Sequence, residues 1–65
     1  MSEGLIAVKE YIYEVYTCSG NRVVIKGVTN TLVDYQIGSV TFFDRSGNQI
    51  SSFMLDNIEG WRVAT

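Results

Sequence analysis

Val33-Asp34-Tyr35-Gln36-Ile37-Gly38-Ser39-Val40-Thr41-Phe42 is the stretch on which the fold turns. Val33, Tyr35 and Ile37 alternate with Asp34 and Gln36, the period-two pattern of a half-buried strand. At Gly38 the phase slips, because the apolar positions run 33, 35, 37 before it and 40, 42 after it. A strand continuing straight would turn Val40 and Phe42 to the opposite face. Gly38-Ser39 is therefore expected to be a bulge, a sharp bend or a break. Curvature of that kind closes small barrels.

Downstream, Asp44-Arg45-Ser46-Gly47-Asn48 is a short polar loop with a glycine able to take positive φ, and it joins Val40–Phe43 to Gln49–Leu55 as a hairpin. Asp56-Asn57-Ile58-Glu59-Gly60 follows as a tight turn or one turn of 3₁₀ helix, and Trp61–Ala64 reads as a closing strand. Upstream, Tyr11–Thr17 is almost wholly aromatic and β-branched, which suits a pleated surface and costs rotamer freedom in a helix. Cys18-Ser19-Gly20-Asn21 has turn chemistry and Arg22–Val28 makes the second arm of a hairpin, with Thr29-Asn30 as the next turn.

The N-terminal stretch has a rival reading. Leu5, Val8, Ile12 and Val15 also fall on one helical stripe, with Glu3, Glu10, Glu14 and Thr17 opposite, so a short helix over residues 2–16, capped at Ser2, competes with the strand.

About five strands, short connections, no proline and a bend-forming glycine predict a mostly β fold. The expected architecture is a small antiparallel meander, either an SH3-like or Sm-like barrel or a curved open sheet. The final hairpin, short turn and closing strand resemble the ending of such barrels, a likeness of pattern over the last third of the chain. An open sheet needs its edges managed, and proline, a common edge blocker, is missing. Pairing between copies is the expected consequence.

At 65 residues the chain makes one domain, residues 1–65. Such a domain buries only about 60% of the surface its unfolded chain exposes, and a core of this size rarely supplies more than about 3–5 kcal/mol. The usual supplements are disulfides, a metal or oligomerisation. There is no histidine and one cysteine, Cys18, so neither an internal disulfide nor a zinc site is expected. The hydrophobic share of 46%, with one Trp, four Tyr and three Phe, suffices for a core and an interface. Self-association is thus the predicted route to stability.

Histidine's absence also removes the usual general base and the nucleophile motifs that depend on it. The seven carboxylates lie mostly at strand ends, in turns or on the polar side of an alternating strand, where solvated charge accounts for them. No catalytic residue, metal or cofactor is expected. Cys18 sits in a turn with no His, Lys or second Cys beside it to activate a thiolate, and Arg22 is the residue placed to face it across the hairpin.

The net charge of −2 and isoelectric point near 4.7 disfavour binding to phosphate backbones. The basic residues Lys9, Arg22, Lys26, Arg45 and Arg62 form no run. Met1-Ser2-Glu3-Gly4 has no cationic n-region, and Lys9-Glu10 interrupts the apolar stretch from Leu5, so neither a signal peptide nor a membrane span is read and a cytoplasmic address is expected.

The candidate binding residues are Tyr11, Tyr13, Tyr35, Trp61 and Arg62. Tyr11, Tyr13 and Tyr16 suggest a stacking platform, but Glu10 and Glu14 interleave with them, whereas stacking platforms pair aromatics with a positive groove. Core or interface packing fits better. Trp61 reads as core under the last hairpin or, if exposed, as a contact hot spot with Arg62 and Tyr35 or Phe53.

Three functional classes follow. The first is a non-enzymatic protein-interaction module, a homo-oligomer that binds or blocks another protein through an aromatic surface. Adaptors and inhibitors of phages and mobile elements have this size and class. The second is an oligomer with nucleotide or small-molecule pockets at subunit boundaries. The third, an Sm-like or OB-like nucleic-acid binder, is disfavoured by the charge.

Overall fold

In the computed structural model, which describes residues 9–64, six strands form two three-stranded antiparallel sheets. The strands are β1 (Tyr11–Thr17), β2 (Arg22–Val28), β3 (Asn30–Asp34), β4 (Ser39–Phe43), β5 (Gln49–Met54) and β6 (Ile58–Val63), and a 3₁₀ turn, Leu55–Asn57, precedes β6. The first sheet runs β2-β1-β6 and the second β3-β4-β5. No closed barrel forms, and the strand count is six rather than about five.

The extra strand comes from the phase slip. Of the outcomes expected at Gly38, the chain takes the break: β3 ends at Asp34, and Tyr35 to Gly38 make a hairpin turn instead of continuing the strand. The reading of Val33–Ile37 as one strand is thereby corrected. The reason is local. The Asp34 carboxylate accepts from the backbone N–H groups of Gln36 (3.0 Å) and Ile37 (3.1 Å), the turn chemistry by which Asp draws backbone donors out of a ladder. Gly38, at φ +81°, donates its N–H to Asp34 O at 2.7 Å and holds a conformation that other residues rarely adopt.

β3 also begins earlier than expected. Thr29 alone separates β2 from β3, so Thr29-Asn30 is not a reversing turn but the bend at which the chain leaves one sheet for the other. Gly27, at φ +73°, precedes that bend, and the Thr29 N–H donates to Phe43 O at 2.9 Å. The Leu55–Asn57 turn makes the return crossing, and its first residue is tied to the β3–β4 turn by Leu55 N–H to Gly38 O, 2.8 Å. Tyr11–Tyr16 being strand removes the helix reading for those residues. Lys9 and Glu10 are not helical either, and the rest of that reading, residues 2–8, lies outside the described residues.

The core lies between the inner faces of the sheets. Val15, Ile25, Val28 and Ile58 come from the first sheet, Val40 and Phe42 from the second, with Tyr13, Val33, Phe53, Leu55 and Trp61 packed around them. Tyr13 and Phe42 join the sheets with ring centroids 5.1 Å apart, and Phe53 meets Phe42 edge-on at 6.2 Å. Offset and edge-on pairs of this kind add about 0.5–1.5 kcal/mol to area burial alone. Thr31, opposite Phe42 on β3, turns inward and its hydroxyl is buried without a hydrogen-bond partner.

Candidate functional site

The predicted binding residues do not converge on one surface. Tyr13 and Trp61 are half-buried and packed against the core. Trp61 stands opposite Val15, so the core placement describes it better than full exposure. Arg62, the next residue along the strand, must point to the other face, which separates it from Trp61. Tyr11 is half-buried at the start of β1, with the Lys9 ammonium 5.5 Å from its ring centroid. Tyr35 lies at the β3–β4 turn, 83% exposed. The two sheets each present an outer face to solvent.

The outer face of the first sheet is organised by Glu14. The register sets Glu14 opposite Val24 on one side and Arg62 on the other. Tyr16 Oη donates to Glu14 Oε1 at 2.6 Å, Arg62 Nε to the same oxygen at 3.0 Å, and an Arg22 terminal nitrogen to Oε2 at 3.3 Å. The Glu14 side chain is only 12% exposed, whereas the two arginines remain mostly in solvent. Hydrogen bonding from Tyr16, then from Arg62, holds the Glu14 carboxyl below its ordinary pKa, against a smaller opposing effect of burial. A carboxylate kept anionic by these donors is a poor general acid. Its role is to tie three strands together.

A titration follows from the sign of that shift. A carboxyl with a lowered folded pKa stabilises the fold fully above its unfolded value and loses that contribution as pH falls through the folded one. Glu14→Gln is therefore expected to reduce stability at neutral pH and to leave a shallower loss as the pH falls below the ordinary glutamate range. Urea denaturation across that range checks it, and parallel acid limbs for both proteins would contradict it.

Sequence reasoning missed this network, although the signal was present. Once Cys18–Asn21 is a turn, the register sets Tyr16 opposite Arg22, with Glu14 diagonal to it. Arg22 consequently meets Glu14, not Cys18. Cys18 is exposed, and its Sγ lies 3.7 Å from Asp56 O.

The outer face and turn of the second sheet are different in kind. Leu32 is 56% exposed and Ile37 66%, and Met54 is also exposed. Leu32 sits opposite Thr41, and Thr41 opposite Ser52, joined through their hydroxyls at 3.1 Å. Met54 lies opposite Ser39, which places it at the same end of the sheet as Tyr35 and Ile37. Asp34 is the one charged residue within β3, β4 and β5.

Beside this face runs a shallow open groove of about 560 Å³, lined by residues that include Asn30, Leu32, Phe43, Asp44 and Arg45. None of the predicted binding residues lines it. Among the described residues no group of three or more His, Cys, Asp or Glu stands together to hold a metal ion, and no helix is long and apolar enough to cross a membrane. No protein-family model matches the chain, and no curated protein or solved structure is significantly similar to it.

Proposed function

We propose that this chain is a small non-enzymatic protein-interaction module that works in the cytoplasm as a homo-oligomer, its contact residues being Tyr35 and Ile37 at the β3–β4 turn together with Leu32. The observation that carries the reading is that these large apolar side chains stand in solvent on a nearly uncharged part of the surface. Isolated exposed apolar residues are ordinary, but several on one sheet and its turn mark a contact site. An aromatic anchor of this kind suits the centre of a protein interface. The fold reads as an open relative of SH3-like and Sm-like barrels, supported by the 3₁₀ turn leading into β6 and by β6 returning beside β1. An inhibitor or adaptor role, of the sort found on phages and mobile elements, fits the size and the lack of a catalytic constellation.

The test is capture from host lysate with the wild type and with Tyr35→Ser/Ile37→Ser, followed by reconstitution with the purified partner. Both positions are exposed, so the variant is expected to stay folded, within about 0.5–1 kcal/mol of wild type. It is expected to bind the partner more than tenfold more weakly. Equal binding by the two proteins would reject the surface.

A further inference from the structure

The unprotected edge of β5 carries the inference. Among the described residues four strands lie at sheet edges, β2, β6, β3 and β5. β2 carries Arg22 and Lys26, β6 carries Glu59 and Arg62, and β3 ends on Asp34. Charges of this sort are how sheet edges avoid joining. β5, Gln49-Ile50-Ser51-Ser52-Phe53-Met54, has neither charge nor proline.

Leu55 N–H donates to Gly38 O, and the β4–β5 register sets Val40 opposite Phe53 and Phe42 opposite Ser51. In an antiparallel ladder the residues facing the neighbour alternate with those facing away. Leu55, Phe53 and Ser51 therefore bond towards β4, and Ser52 and Met54 direct their N–H and C=O groups to the free side. Phe43 O agrees, since it accepts from Thr29 on the β3 side, leaving Val40 and Phe42 to bond β5.

We infer that β5 pairs with β5 of a second copy of this chain, antiparallel, about a two-fold axis through Ser52. That register matches the sequence to itself. Ser52 faces its own counterpart in a hydrogen-bonded pair. Met54 faces the partner's Ile50, so the two exposed apolar residues of the strand cover one another on the outer face, while Ser51 faces the partner's Phe53 on the inner face. The two second sheets become one continuous sheet. The register shift between Phe42 and Phe43 leaves Ile50 as the extra residue on β5, between Ser51 opposite Phe42 and Gln49 opposite Phe43, and limits the length of the ladder. The area is accordingly at the small end for stable interfaces, and micromolar rather than nanomolar dissociation is expected.

The inference rests on the homo-oligomer part of the proposed function and not on the Tyr35 surface. Sedimentation equilibrium of the full chain is expected to show a concentration-dependent dimer. Ser52→Lys, which sets two ammonium groups against each other across the axis, is expected to weaken it more than tenfold. Because that change also removes the Thr41 contact, a second set of variants is needed. Ile50→Lys and Met54→Glu are each expected to weaken the dimer, and the double variant to restore it through opposed charges, now with a salt dependence the wild type lacks.

A wild type monomeric throughout the micromolar range overturns both the inference and the oligomer reading. A dimer indifferent to Ser52→Lys, or a double variant no better than its parents, overturns the β5 edge alone.

Discussion

Phe42→Ala is expected to leave this chain unfolded at room temperature. Phe42 is fully buried, is the bridge to Tyr13 across the two sheets, and packs edge-on against Phe53 within its own sheet. Removing a buried phenylalanine ring costs about 3–5 kcal/mol, and a domain of this size has roughly that much stability in total. The deletion takes the centre out of a core built from a handful of side chains, and a chain with one cysteine has no internal disulfide to compensate. Far-UV circular dichroism and amide proton dispersion check it, with Phe43→Ala as the control. Phe43 is only half-buried and points to the other face of β4, so its loss is expected to cost about 1 kcal/mol. If Phe42→Ala melts with wild-type cooperativity, the two-sheet core described above is wrong.

Gly38→Val is the second large effect, through backbone strain instead of lost packing. A Cβ at this position meets nothing within 4 Å, so space is not the obstacle. The obstacle is φ +81°, where an L side chain collides with its own backbone and a β-branched one fares worst. Strain of this kind costs about 1–3 kcal/mol. Relaxing it would break the bonds to Asp34 and Leu55 that join the β3–β4 turn to the return crossing. The chain is short enough for chemical synthesis, which supplies the decisive comparison. D-alanine at position 38 is expected to match or exceed wild-type stability in urea, whereas L-valine lowers the midpoint. Equal midpoints for the two would remove strain as the reason for glycine.

What could be read from the residues alone was local. Cys18–Asn21 and Asp44–Asn48 announce their turns through glycine, asparagine and aspartate, and the strands on either side of each follow. The turn before the last strand was legible only in part: Asp56–Gly60 reads as a tight turn or one turn of 3₁₀ helix, whereas the 3₁₀ turn is Leu55–Asn57 and Ile58, Glu59 and Gly60 already belong to β6. Tyr35 and Ile37 misled because a period-two pattern does not distinguish a half-buried strand from a turn carrying exposed apolar side chains. Asp34 and Gly38, four residues apart, held the deciding information, and it favoured a hairpin.

The assignment of strands to sheets was not legible. It depends on β1 pairing with β6, which no short-range signal encodes. That same pairing sorts the candidate residues, turning Trp61 towards Val15 and Arg62 towards Glu14. Aromatic content could nominate Tyr13 and Trp61 but not say which way they face.

The pairing of β1 with β6 has a kinetic consequence. Glu14 and Arg62 meet across 48 positions of sequence, and β1 is the central strand of its sheet. Until β6 is in place, the first sheet is a lone hairpin, an arrangement of marginal stability in water. The β3-β4-β5 meander, by contrast, needs only adjacent hairpins. During synthesis the second sheet therefore has its strands before the first does, and folding is expected to be limited by that long loop closing late, in roughly the millisecond-to-second regime of non-local β topologies.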